Sequence, residues 1–355
     1  MATISASTNT PRQPASWRRA LQNNWLFLGI LILLLVLPQL IGALSGTSPT
    51  ARRGEAVFRQ AQIIELMIYG ILAMSYNLIF GFTGVISFGH ALFFGLSAYI
   101  FGGFLRGSEA VGAEVLIGAA AIALAISAVL GLAISLVTLR LKGVYFAIFT
   151  LALAEMGYIF LRSYAETGSE DGFTVTALPA VLDPNQNRLT FYYFVLIIFV
   201  LTFVFIRRLI GSPTGAVLLG IRENENRAKT IGYDTLRFKL LAITLGGVFA
   251  GVAGILFAMF NKKVGPEMLS SVFTVDPLLM TIIGGIGTLA GPVVGAFGLR
   301  FLEVQLRNAK ITLGETVIDI GQSWTLVLGG IFILAVIVFP RGIVGTINAW
   351  RTRRK

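Results

Sequence analysis

Cysteine is absent from the 355 residues, and histidine occurs once, as His90. The first absence excludes disulfides, thiolate chemistry and cysteine-ligated metals. The second excludes a multi-histidine metal site and leaves a histidine-based triad with no second ring in reserve. Ser87 stands near His90, but no acid lies close in sequence to orient the imidazole. No Gly-Lys pair occurs, so the chain has no P-loop to cradle ATP phosphates. Charge is scarce too: 13% of residues are Asp, Glu, Lys or Arg, against about 25% in an ordinary soluble chain. Enzymatic chemistry finds no support in such an inventory.

What fills the chain is apolar. Hydrophobic residues make up 55% and the mean hydropathy is +0.82, which describes an integral membrane protein with one polytopic domain. A hydrocarbon core of ~30 Å needs about 20 apolar residues per helix. Runs of that kind lie near 25–44, 62–81, 87–105, 115–138, 144–162, 191–209, 239–260, 273–287, 291–304 and 323–340, about ten spans in all. The pair at 273–304 also reads as one kinked span or a re-entrant hairpin. A polar, basic tail over 1–24 precedes the first run. That run is longer than the hydrophobic segment of a secretory signal, so it is read as an uncleaved span.

The net charge is +11, from 28 basic and 17 acidic residues. The basic residues sit between apolar runs without interleaved aromatics, which suits cytoplasmic loops and gives no nucleic-acid surface. The segment from Arg207 to Lys239, the loop with Arg140 and Lys142, and the tail 346–355 share one side if there are ten spans. Both termini are thereby expected in the cytoplasm and Thr167 to Asn187 outside. The loop with Arg52, Arg53 and Arg59 dissents from this assignment.

Gly287, Gly291 and Gly295 recur every fourth residue, which on a helix makes one smooth stripe for close backbone approach. Gly81, Gly84 and Gly89 instead sit at the junction of two spans, where transporters unwind helices around a substrate; close packing or a tight hairpin is the plainer reading. The hairpins 81–95 and 284–298 also read as halves of an internal repeat. Ionisable residues within spans are few: Glu65, His90, Glu155, Arg300 and Glu303. Glu155, the deepest acid, shares a helical face with Arg162, and an interhelical bond or a cap near a span end accounts for it as readily as ion coupling does.

The run "GAVLLGIRENENRAKTIGYD", Gly215 to Asp234, is the most polar part of the interior sequence. A helix from Gly215 to Ile231 would dock Val217, Leu218, Ile221 and Ala228 on the membrane domain. It would present Arg222, Glu223, Glu225, Asn226 and Lys229 to the cytoplasm. Such a helix suits a groove on another protein; a solvated surface loop is the alternative.

Four motifs resemble the branched-chain amino-acid permeases of ATP-binding-cassette (ABC) importers. They are "NLIFGFTGVISFGHALFFGLSAY", "LKGVYFAIFTLALAE", "GIRENENRAKTIG", and "GGIGTLAGPVVGA" followed by "FPRGIVG". Relatives often read Thr-Gly-Gly where this chain has "TGSEDG", Thr167 to Gly172. The resemblance implies an all-α bundle, with the permease domain over 25–345 and a cytoplasmic coupling segment over 211–237. It also implies a second related permease, two cytoplasmic ATPase subunits that bind ATP and Mg, and an external solute-binding protein, all at a bacterial inner membrane. This chain would hold no cofactor or metal of its own. Arg222, Glu223, Asn224, Glu225 and Arg227 would couple to the ATPase. The solute would pass by Gly81, Gly84, Ser87, Gly89, His90, Tyr145, Thr150 and Glu155. Branched-chain amino acids are the expected solute, with urea, short amides, other amino acids or small carboxylates as alternatives within the type. A stand-alone secondary carrier is the alternative of a different class.

Overall fold

A computed structural model of the chain describes residues 17–46, 48, 50, 53–107, 111–137, 141, 143–313 and 316–353. The tail through Ser16 lies outside the described residues, as do Arg52, Arg140, Lys142, Arg354 and Lys355, on which part of the orientation argument rests.

The described chain is nearly all helix: α1 (Trp17–Leu44), α2 (Glu55–Thr83), α3 (His90–Phe104), α4 (Ala113–Val137), α5 (Val144–Ser163), α6 (Arg188–Ile210), α7 (Pro213–Glu223), α8 (Glu225–Thr230), α9 (Thr235–Asn261), α10 (Ser271–Gly284), α11 (Gly291–Arg307), α12 (Trp324–Val338) and α13 (Gly342–Arg353). Every apolar run read from the sequence overlaps a helix, although residues such as 87–89 and 285–287 lie outside one. Six helical stretches among the described residues are long and apolar enough to cross a bilayer: α2, α4, α5, α6, α9, and the α12–α13 stretch from Trp324 to Ile347. The apolar part of α1, Gly29–Leu44, is shorter, as are α3 and α10. At about 1.5 Å per residue, α3 and α10 rise roughly 21–23 Å, short of a ~30 Å core. Residues 273–304 form neither one span nor one kinked helix: α10 and α11 are separate and joined by a loop.

α2 is the buried centre, with Ile64, Met67, Ile68, Ile71 and Leu72 shut from solvent. α9 packs against it and against α3 and α4, and the reason is legible in its run "LGGVFAGVAG". A β-carbon on Gly254 would stand 2.0 Å from the carbonyl oxygen of Phe94, and one on Gly247 would stand 2.8 Å from the Phe93 ring. Bare backbone here lets α3 seat directly on α9, the contact by which small residues drive helix association in membranes. Ser97 of α3 and Ser127 of α4 share a buried hydrogen bond of 2.6 Å beside Gly251. By contrast α12 buries none of its residues.

Two short antiparallel pairings tie the connecting segments. Phe173–Thr174 (β1) pairs with Lys263–Val264 (β2), and Lys262 donates to Asp183 at 2.6 Å, so the loop after α5 is clasped to the end of α9. Lys310–Leu313 (β3) and Thr316–Asp319 (β4) form a hairpin between α11 and α12.

Candidate functional site

α2 stops at Gly84, which takes a left-handed φ of 75° and donates its N–H to Phe80. The chain then runs without helix until His90 opens α3, so the expected span at 87–105 begins three residues late. At this break Asn77, one turn before Gly81, bridges to the loop between α10 and α11. Its amide nitrogen donates to the Thr288 carbonyl at 2.9 Å, and its oxygen accepts from the Gly287 N–H at 3.0 Å. A β-carbon on Gly81 would fall 1.8 Å from that same Asn77 oxygen. Glycine at 81 is what allows the bridge to form.

The third partner arrives from α7. Arg222 donates from Nη1 to the Gly81 carbonyl at 2.6 Å, and its alkyl stem passes the Gly84 backbone. Gly287 has φ 72°, and a β-carbon there would lie 2.0 Å from Arg222 Nη1. At the same loop, a β-carbon on Gly342 at the start of α13 would lie 2.3 Å from Gly285 Cα. Segments separated by as many as 211 positions are therefore knotted together where α2 breaks.

This corrects the expected glycine stripe. Gly287 is in a loop and not on a helix, because its left-handed backbone and the Asn77 bond fix it in a turn. Gly291 opens α11, and Gly295 meets the Met280 carbonyl of α10 at a would-be β-carbon distance of 1.8 Å. The two glycines on α11 do face a neighbouring backbone, while the third serves the Arg222 junction.

The polar segment is also two helices where one was expected. Asn224 is extended (φ −160°, ψ 99°) and its side chain accepts from Arg227 N at 2.9 Å, capping α8 while ending α7. Leu218, Ile221 and Ala228 are buried and Val217 partly so; Arg222, Glu223, Asn226, Arg227 and Lys229 are exposed. Among the coupling candidates the structure separates three situations. Arg222 points its guanidinium inward. Glu225 accepts from Lys239 at 2.6 Å, Lys229 at 3.0 Å and Thr235 at 3.2 Å. Burial alone would raise its carboxyl, but the Lys239 and Lys229 hydrogen bonds outweigh that and hold it down at about 2. Glu223 and Arg227 make no side-chain bond to any described residue and stand in solvent.

A cavity of about 510 Å³ lies beneath these helices, between the break after α2 and the start of α5. Thr83, Ile86, Phe88, Phe146, Glu223 and Lys239 are among its walls. Deeper in the bundle the short helices α3 and α10 begin beside one another. Ala91 N of α3 donates to Thr274 Oγ1 of α10 at 3.0 Å. α5 serves both starts: Thr150 Oγ1 accepts from Phe88 N at 3.1 Å, and Glu155 Oε1 accepts from Ser271 N at 3.0 Å and from Ser271 Oγ at 2.5 Å. Glu155 thus caps α10; Arg162, expected on its face, binds Glu170 instead at 2.8 Å.

His90 is wholly buried, between Tyr76 and Phe93. Ser75 Oγ donates to Leu72 O at 2.7 Å and lies 2.8 Å from His90 Nε2; with its proton spent, the serine accepts, so Nε2 carries the ring hydrogen. Ser87 and Thr150 are buried as well, whereas Tyr145 is 72% exposed and Glu155 half-buried. In this conformation only the last two of the expected pathway side chains keep open surface. Ser75, Ser271 and Thr274 escaped the sequence reading, and Asn77 entered it only as the first residue of a motif, without a role. The partners of Asn77, Ser271 and Thr274 lie 211, 116 and 183 positions away, and no spacing announces them.

A family model described as "Branched-chain amino acid transport system / permease component" matches residues 61–338. The high-affinity branched-chain amino acid transport system permease protein LivM of Salmonella typhimurium is 27% identical over 303 residues, covering 78% of this chain and 68% of the relative. A probable branched-chain amino acid transport permease protein LivM of Methanocaldococcus jannaschii is 26% identical over 313 residues, covering 78% and 90%. LivH of Escherichia coli, a permease protein of the same kind of system, is 24% identical over 297 residues, covering 78% and 91%. No solved structure matches the chain.

Proposed function

The chain belongs to the family of permease components of branched-chain amino acid transport systems, and on that premise we propose that it is the membrane-spanning subunit of an ATP-driven importer. Its solute is a branched-chain amino acid. Ten helices cross or enter the inner membrane, both termini face the cytoplasm, and the segment 167–187 faces outside. A second related permease completes the pore, and an external binding protein delivers the solute. Two ATPase subunits, which bind ATP and Mg themselves, grip α7 and α8; this chain needs no cofactor.

The observation that carries the reading is the Arg222 junction. A helix pair whose Glu223 and Arg227 are exposed to solvent while Arg222 is planted in the break of α2 suits a lever. Force applied to α7 reaches Gly81, the α10–α11 loop and α13 in one rigid step, because Arg222 and Asn77 bond directly to backbone and the Gly342–Gly285 contact is backbone on backbone. Movement of the short helices α3 and α10, whose starts α5 holds through Thr150 and Glu155, would then open the path at one face and close it at the other. Discontinuous helices around a path are the usual solution when irregular backbone must lie at membrane depth. Reconstitution in proteoliposomes with both permeases, the ATPases and the binding protein tests this. ATP-dependent leucine uptake is expected, and uptake by this chain without ATPase subunits would contradict it.

A further inference from the structure

A second cavity, of about 410 Å³, opens between α1, α2 and α11. Its lining residue Glu65 lies sixteen positions before Gly81, roughly 24 Å along α2 at 1.5 Å per residue, so it is remote from the coupling junction. Leu37 and Ile41 of α1 form an apolar wall. The mouth is rimmed by Leu44 and Phe301, 88% and 55% exposed, so it faces hydrocarbon and not an aqueous vestibule.

The floor of this cavity is ionic. Arg300, whose side chain is 13% exposed, donates to Asp276 at 2.9 Å and to Glu303, and its guanidinium lies 3.6 Å above the Tyr69 ring. Arg307 donates to the other oxygen of Glu303 at 2.6 Å, and Arg59 pairs with Glu55. Each arginine thus has a carboxylate partner, although Arg300 Nε is buried without an acceptor among the described residues, and both oxygens of Glu303 are used. Glu65 is left over: it faces the cavity yet makes no hydrogen bond or ion pair with any described residue. The cavity is lined by Arg59, Arg300 and Arg307 and by Glu65 and Glu303, so it offers both signs: cationic donors for an anionic group and, at Glu65, a carboxylate with no bonded cation. An unmatched carboxylate at membrane depth is costly, and a cation that reaches it relieves the cost.

We propose that this cavity binds the headgroup of a phospholipid that carries a primary ammonium, a phosphatidylethanolamine-type lipid. The ammonium donates to Glu65, and the acyl chains lie along Leu37, Ile41 and Phe301. The phosphodiester rests at the rim on Arg307 and Arg59, both still more than half exposed and with donors to spare. A quaternary ammonium headgroup has no N–H to donate, and an anionic headgroup brings the wrong sign to Glu65. Both are therefore disfavoured.

Native mass spectrometry of the intact permease complex, delipidated and then titrated with dioleoyl phosphatidylethanolamine, phosphatidylcholine, phosphatidylglycerol or free leucine, tests the assignment. A charge-assisted hydrogen bond gives an expected preference of about tenfold for the ethanolamine lipid over the other two. Glu65→Gln should abolish that preference, and Ile41→Trp, which fills the cavity and leaves every charge, should lower occupancy by all lipids. Equal retention of the three lipids by the wild-type complex would overturn the proposal, even if neither variant assembled. So would an unchanged preference in Glu65→Gln, or displacement of the lipid by leucine, which would make the cavity a solute site.

Discussion

Arg222 and Gly81 lie 141 positions apart, and the guanidinium of one donates to the carbonyl of the other at 2.6 Å. The contact joins a charged surface helix to the point where the central helix of the bundle stops. It also explains why so polar a run is built into so apolar a chain: part of the run faces outward, and part of it is fastened inward.

Removing that contact should uncouple the machine before it unfolds it. Arg222 is partly open to solvent, so Arg222→Ala should cost only about 1 kcal/mol of stability. The expected result is continued ATP hydrolysis with leucine uptake per ATP reduced about fivefold or more, since one to two kcal/mol already shifts an equilibrium that far. Gly81→Ala should be harsher, because its β-carbon meets Asn77 Oδ1 at 1.8 Å and overpacking costs about 1–3 kcal/mol. The ratio of uptake to hydrolysis in proteoliposomes measures both; an unchanged ratio in Arg222→Ala would refute the lever.

Acid should loosen α8 through Glu225. Its folded pKa is about 2, below the ordinary 4.5, so ionisation stabilises the fold. That contribution is complete above 4.5 and is lost as pH falls from there through about 2. A spin label on a cysteine introduced at Asn226, in a chain that has no other cysteine, should gain mobility over that window. In Glu225→Gln the label should be mobile already at neutral pH. A flat titration in the otherwise wild-type chain would show that the Lys239 and Lys229 bonds do not hold the helix.

The α9 contact makes a paired prediction about glycines that look alike in sequence. Gly254→Ala drives a β-carbon to 2.0 Å from the Phe94 carbonyl and should destabilise by about 1–3 kcal/mol. Gly118→Ala on α4 meets nothing within 4 Å and should be neutral or gain up to about 1 kcal/mol from helix propensity. Thermal unfolding in detergent distinguishes them, and equal behaviour would contradict the packing of α3 on α9.

Hydrophobic runs are local, so the helices were legible: each of the ten apolar windows overlaps a helix. Their ends were less so. The start of α3 at His90 depends on Thr150 and Thr274, residues 62 and 183 positions away from their partners, and nothing near 87–90 records them. The break at Asn224 was present in the sequence as an asparagine cap followed by an acidic first turn, but the apolar period continues through Ala228 and hid it. Glycines four apart fit a helical stripe and a turn feeding a helix equally well. Only the Asn77 bridge decides that Gly287 belongs to the turn. Arg222 read as one of the coupling charges facing the cytoplasm, because the sequence does not tell which way a long side chain turns.

The central claim is that α7 and α8 form the joint with the ATPase, with Glu223 and Arg227 as their outward charges. Reversing both, Glu223→Lys with Arg227→Glu, breaks no side-chain bond to any described residue, and exposed charges contribute only about 0–1 kcal/mol to folding. Membrane insertion should therefore persist while ATPase co-purification or ATP-driven leucine uptake collapses. Full uptake with the ATPase still bound would contradict the account.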